Sequence, residues 1–231
     1  GGPTGALIQA SNGNFYGTTT GDGANGSGGT VFQITAAGKL TTLYSFCSKS
    51  DCTDGSTPDA GLIQGTDGNL YGTTFYGGSN ETTCNGGCGT IFKITTAGKL
   101  TTLYNFCSKS GCADGSSPEG GLVQDTNGTF YGTTYYGGTD GLGTVFSLAV
   151  GLGAFVETVP TSGAVGAKVI VLGTNLTGAT ALSFNGTAAA FKVVSSSEIT
   201  TTVPTGATTG KIKVTTPSGT LSSNVAFRVT N

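Results

Sequence analysis

The chain contains no histidine, no methionine and no tryptophan, and a single arginine, Arg228, stands among its 231 residues. Without histidine the commonest general base and the commonest metal ligand are both missing, so no Ser-His-Asp triad can be assembled. One arginine and a net charge of −2 provide no basic field for a phosphate backbone, which argues against nucleic acid as a partner. No apolar run approaches the ~18 to 20 residues that a membrane helix requires, and membrane insertion is not expected. No basic segment followed by an apolar core stands at Gly1, so the chain reads as a mature or trimmed fragment.

What is abundant is glycine, at 42 residues, with threonine beside it. No three-residue period accompanies the glycine, which excludes a collagen-like chain and leaves a turn-rich β protein. A block of about sixty residues returns: Cys47, Cys52, Pro58, Tyr71 and Tyr76 recur sixty positions on as Cys107, Cys112, Pro118, Tyr131 and Tyr136. Leu62-Ile63-Gln64 with Leu70-Tyr71-Gly72-Thr73-Thr74 comes back as Leu122-Val123-Gln124 with Phe130-Tyr131-Gly132-Thr133-Thr134. An earlier copy reads Leu7-Ile8-Gln9 with Phe15-Tyr16-Gly17-Thr18-Thr19. Self-similarity at this period indicates stacked units.

Within each unit the pairs Asn12-Gly13, Asp67-Gly68 and Asn127-Gly128 predict tight hairpins. A third strand is expected at Gly29-Thr30-Val31-Phe32 and its copies from Gly89 and Gly143, and a fourth at Lys39-Leu40-Thr41-Thr42-Leu43-Tyr44 and from Lys99. Four short strands per unit is blade-like. No window carries an uninterrupted helical apolar period, so helix content should be very low.

Six cysteines fall as three close pairs, Cys47 with Cys52, Cys84 with Cys88, and Cys107 with Cys112. Local disulfides, each contributing about 2 to 3 kcal/mol by restricting the unfolded chain, are the simplest reading, and they imply an oxidising compartment. Zinc is the rival. It is disfavoured by the spacings, by the lack of histidine, and by pairs that follow the repeat distance rather than converging. No metal or cofactor is expected. The Cys84 pair sits in an insertion, since Tyr71 to Thr90 spans 19 positions against 14 for Tyr16 to Thr30 and 13 for Tyr131 to Thr144.

Through Phe15 to Thr19, Leu70 to Tyr76 and Phe130 to Tyr136, with the returning Gly-Thr-(Val/Ile)-Phe, residues 1–150 resemble the bacterial GloVer tandem repeats. That resemblance implies a secreted, propeller-like protein held at the cell surface, and it implies no catalytic residues. From about residue 155 the text changes to Pro160-Thr161-Ser162-Gly163, Val169-Ile170-Val171-Leu172-Gly173, Leu182-Ser183-Phe184-Asn185-Gly186 and Gly210-Lys211-Ile212-Lys213-Val214. This resembles an IPT/TIG immunoglobulin-like domain, implying a β-sandwich over residues 151–231. The expected fold class is therefore all-β: a partial β-propeller or open β stack, then a sandwich.

Propellers close with about 4 to 8 blades, and this chain has fewer than three complete ones. Some sheet surface is left unpaired, to be covered by further repeats upstream, by a closed ring of several chains, or by open head-to-tail stacking. Self-association through such surfaces, in a secreted structural or adhesive protein that can polymerise into a filament, is the preferred functional reading.

The runner-up is glycan or surface binding through the aromatic group Tyr71, Phe75, Tyr76, Tyr131, Tyr135 and Tyr136, although repetition at every unit makes packing between blades the stronger explanation of these residues. A polysaccharide-active enzyme comes third, with no catalytic residue assigned. The acids Asp54 and Asp59 recur as Asp114 and Glu119, which suits turn residues or solubilising charges; Asp51, Glu81, Asp125 and Asp140 do not recur.

Overall fold

A computed structural model describes residues 2–80 and 84–231; Gly1 and Glu81 lie outside the described residues. The chain divides into two compact units, Gly1–Gln124 with Phe130–Leu148, and Asp125–Thr129 with Ala149–Asn231. Both are built from strands, 42% of the chain, and among the described residues the helical structure is confined to two 3-10 turns at Ser50–Cys52 and Ser110–Cys112.

The first unit holds three antiparallel sheets, one per repeat. Strands β1 (Ile8–Gln9), β2 (Phe15–Thr19), β3 (Thr30–Ile34) and β4 (Leu40–Ser45) form the first, in chain order. The second repeats it with β5 (Ile63–Gln64), β6 (Leu70–Thr74), β7 (Thr90–Ile94) and β8 (Leu100–Asn105), and the third has only β9 (Val123–Gln124), β10 (Phe130–Thr134) and β11 (Thr144–Leu148). The hairpins form where the Asn-Gly and Asp-Gly pairs predict. Gly13 and Gly68 take φ values of 82° and 79°, a region that a side chain disfavours, and the preceding Asn12 and Asp67 carboxamide and carboxylate oxygens accept the N–H of Asn14 and Asn69 at 3.1 Å.

The sheets stack face to face. Tyr16, Val31 and Phe46 of the first sheet bury themselves against Leu62, Leu70, Phe92 and Ile94 of the second. The contact is reproduced one step on: Phe46 meets Phe92 edge to face with centroids 5.1 Å apart and planes at 65°, and Phe106 meets Phe146 with the same 5.1 Å and 65°. Tyr71 lies 4.4 Å from Phe130. Polar links run between successive sheets too, including the Thr18 hydroxyl donating to the Ala60 carbonyl at 2.9 Å and the Thr57 N–H to the Gly28 carbonyl at 2.8 Å. The middle sheet thus turns a front face to its predecessor and a back face to its successor, and the same two faces are named front and back in the first and third sheets.

The second unit is a two-sheet sandwich. One sheet takes the order β12 (Val156–Val159), β14 (Lys168–Gly173), β18 (Glu198–Thr202), β17 (Phe191–Val193). The other runs β16 (Thr187–Ala188), β15 (Ala181–Phe184), β19 (Ile212–Thr216), β20 (Gly219–Ser222), and β13 (Ser162–Ala164) pairs in parallel with β21 (Arg228–Thr230). Alternation along β14 and β19 sends Val169, Val171, Ile212 and Val214 inward, and Phe184 closes the core edge to face on Phe227 at 5.2 Å.

Candidate functional site

Three copies of one strand sequence meet three environments. Tyr16 is 0% exposed and Tyr71 1%, whereas Tyr131, at the same position of the third repeat, is 36% exposed. Val31 and Ile91 are buried at 0% and 2%; their counterpart Val145 is 79% exposed. Strand β6 is buried at every residue, while β10 alternates buried and exposed. The middle sheet is covered on both faces, and the third sheet on its front face alone. Its back face presents Tyr131, Val145 and Val123 to solvent. At the opposite end Leu7 and Leu40 are exposed at 51% and 63%, though their counterparts Leu62 and Leu100 pack into the interface core. Phe15, Phe32 and Ile34 beside them are half-buried. The unit therefore ends in two unlike apolar faces, a front and a back, that are complementary wherever the chain joins them internally.

The cysteines form the disulfides Cys47–Cys52, Cys84–Cys88 and Cys107–Cys112. Contrary to the expectation from repeat spacing, two of these pairs meet. The Cys84 and Cys107 pairs do converge: Cys84 Sγ lies 3.6 Å from Cys107 Sγ, and all four sulfurs lie within 4.8 Å of one another. The insertion carries its own pair over the loop that follows β8, a juxtaposition that repeat spacing alone does not reveal.

The recurring acids divide. Asp54 is fully buried and therefore not a solubilising charge. Its carboxylate accepts the Tyr44 hydroxyl at 2.7 Å, the Ser48 hydroxyl at 2.8 Å and the backbone N–H groups of Ser48 and Lys49 at 3.0 and 3.3 Å, tying the first disulfide loop to β4. Burial pushes the Tyr44 phenol up to about 12, with the Ser48 bond opposing and Asp54 reinforcing. Asp114 repeats the arrangement with Tyr104, Ser108 and Lys109 at 2.6 to 3.1 Å. Burial acts to raise the Asp114 pKa, but the bonds from Tyr104, Ser108 and the two N–H groups outweigh it and hold the carboxyl below its usual value.

Because the folded value lies below the unfolded one, about 3.9, this stabilisation is complete above about pH 5 and is lost as the pH falls through the unfolded and then the lowered folded value. Thermal melting should be level from about pH 7 to 5 and fall below about pH 4, and Asp114→Asn should flatten that acid limb.

Asp59 feels the charge of Glu119, its counterpart in the adjacent repeat. Burial first, and the Glu119 charge second, raise the Asp59 carboxyl above its ordinary range. Asp51, Asp125 and Asp140 remain in separate loops.

The aromatic group splits as well. Tyr71 belongs to the core, its hydroxyl donating to Asp67 at 2.9 Å. Tyr76, Tyr135 and Tyr136 are exposed at 42%, 56% and 53%, and half-buried Phe75 packs edge to face on Tyr76 at 4.6 Å. Tyr76 borders two depressions of about 400 and 450 Å³, the second shared with Tyr136 and lined by Asn85, Ser116 and Ser117. Among the described residues no helix is long and apolar enough to cross a membrane.

A model of the Gloeobacter/Verrucomicrobia repeat matches residues 1–190, and one of the IPT/TIG domain matches residues 155–229. Among solved structures the chain is similar to the gamma-CGTase of an alkalophilic Bacillus clarkii, at 18% identity and TM-score 0.32, covering 70% of this chain and 24% of that one. It is also similar to the Bacteroides ovatus mixed-linkage glucan utilization locus protein SGBP-B, solved with a mixed-linkage heptasaccharide, at 15% identity and TM-score 0.32, covering 96% and 54%. The chain thus spans between about a quarter and about half of the length of those two structures. No curated protein matches it. Three stacked sheets sharing one Tyr-Gly-Thr-Thr strand, with the match over residues 1–190, place the chain: it belongs to the Gloeobacter/Verrucomicrobia repeat family and carries an IPT/TIG domain.

Proposed function

We propose that this protein is a non-enzymatic, extracellular structural subunit whose sheets stack head to tail, the front face of one copy's first sheet covering the back face of another copy's third. The observation that carries the reading is the contrast of Tyr71 with Tyr131 and of Ile91 with Val145, buried where a further sheet follows and open where none does. The occupant is argued from the chain itself, since the same faces already join twice, with the same ring geometry each time. Joining unlike faces extends into a filament unless the rotation closes a ring. Burying a side chain the size of valine or leucine contributes about 1.5 to 3 kcal/mol, so a few of them per face sustain association. Three disulfides suit an oxidising compartment outside the cell.

Sedimentation velocity across a concentration series tests this. The wild-type chain should sediment progressively faster as concentration rises, and Val145→Lys should weaken association about tenfold or more, given about 1.4 kcal/mol per tenfold. A wild-type chain that stays monomeric at every concentration refutes the reading.

A second reading, glycan binding, is favoured by exposed Tyr76 and Tyr136 beside depressions lined with hydroxyl and carboxamide groups. A glycan array comparing the parent with Tyr76→Ala and Tyr136→Ala separates the two. Signals that vanish while folding is intact support it, and a blank array for the parent removes it.

A further inference from the structure

The third sheet stops one strand short of the others. In the first two repeats a fourth strand completes the sheet in the same register, Leu40 opposite Ile34 and Leu100 opposite Ile94. In the third, ordered β11, β10, β9, no strand among the described residues pairs with the outer edge of β11. Beside that edge runs a groove of about 490 Å³ with Ile91, Tyr104 and Phe106 as its floor and Lys109, Asp114 and β11 itself as its rim.

The preceding interface shows what such a groove holds. The counterparts of its floor are Val31, Tyr44 and Phe46, and there Leu100, from the fourth strand of the following sheet, packs into the same cluster. The groove is the volume vacated by the missing equivalent of Leu100. Its rim offers an unpaired strand edge of backbone donors and acceptors, and its floor is apolar and aromatic, the two elements of strand-addition sites.

We propose that β11 and this groove bind an extended peptide segment of the type Lys-Leu-Thr-Thr-Leu-Tyr, contributed by another polypeptide and added antiparallel to β11 with its first leucine opposite Leu148. Backbone pairing along Thr144–Leu148 holds the segment, the leucine selects it by filling the space over Tyr104 and Phe106, and the two threonines suit the half-exposed strand. A second copy's own strands of this sequence are already paired, so the donor is a separate segment with that pattern. The site is distinct from head-to-tail stacking, which covers the back face of the third sheet and leaves this edge unfilled.

The test uses a fluorescein-labelled peptide Lys-Leu-Thr-Thr-Leu-Tyr-Asn, the sequence of residues 99–105, and the full chain carrying Leu40→Glu, which blocks the stacking front face far from the groove. Fluorescence anisotropy should show saturable binding of one peptide per chain. Aspartate in place of the peptide's first leucine should weaken it about tenfold or more. Hydrogen exchange should slow at residues 144–148 with the intact peptide and not with the aspartate peptide. Absence of saturation, equal binding of the two peptides, or protection located elsewhere overturns the proposal. Failure of the stacking reading is visible separately: the wild-type and Leu40→Glu chains then sediment alike while the peptide still binds.

Discussion

Replacing Asp54 with alanine is expected to destabilise the first unit by about 3 kcal/mol, since hydrogen bonds to a charged group contribute about 1.5 to 3 kcal/mol each and stranded donors add their desolvation cost. Four donors converge on this one carboxylate: the Tyr44 and Ser48 hydroxyls and the N–H groups of Ser48 and Lys49. With Asp54 fully buried, water reaches the vacated position poorly, and although the exposed Ser48 and Lys49 can turn to solvent, the half-buried Tyr44 hydroxyl keeps only its 2.6 Å contact with the Ser48 hydroxyl. For a chain of this size about 2 to 4 °C of melting temperature accompanies each kcal/mol, so a fall of about 6 to 12 °C should be seen by calorimetry. Asp114→Ala should do less, because Asp114 is half-buried and solvent can replace part of what it gives.

A comparable loss is expected from Gly72→Val. Gly72 lies directly opposite Phe92 across β6 and β7, and a Cβ there would stand 2.7 Å from Phe92 Cζ and 2.8 Å from Leu62 Cδ2. Both neighbours are buried, at 0% and 4% exposed, between the first and second sheets, so neither ring nor leucine has room to retreat. Overpacking a filled core costs about 1 to 3 kcal/mol, and the upper end applies where a β-branched side chain enters an interface already filled by buried neighbours. The equivalent Gly17→Val serves as the internal comparison. Its Cβ would meet Leu7 at 2.6 Å and Phe32 at 2.7 Å, but Leu7 is 51% exposed on the open front face and can move. Urea midpoints should therefore drop much further for Gly72→Val than for Gly17→Val.

The same residues explain what the sequence could and could not convey. The hairpin glycines, the Tyr-Gly-Thr-Thr strands and the alternating residues of the sandwich are local signals, and the strands form where those signals stand. Tyr71 and Tyr131 are written in nearly identical local text, yet one is core and the other surface, because burial depends on whether another sheet follows, which no window of residues encodes. Asp54 sits in a polar loop between Thr53 and Gly55, and its inward turn is set by the reach of Tyr44 from the neighbouring strand. The meeting of Cys84 with Cys107 likewise depends on how an inserted loop folds back over the next one. What escaped the sequence in each case is a contact made between segments, where neither segment alone carries the sign of it.

Head-to-tail stacking requires that two unlike faces recognise each other between copies as they do within one. The most direct measurement mixes two blocked chains: Leu40→Glu, with a spoiled front face, and Val145→Lys, with a spoiled back face. Each alone should remain monomeric in sedimentation velocity, because neither can extend a stack beyond itself without using its damaged side. Mixed in equal amounts they should form one-to-one dimers, the intact back face of one seated on the intact front face of the other, with no species larger than a dimer. A mixture that stays monomeric, or either variant pairing with itself as readily as with the other, contradicts head-to-tail stacking.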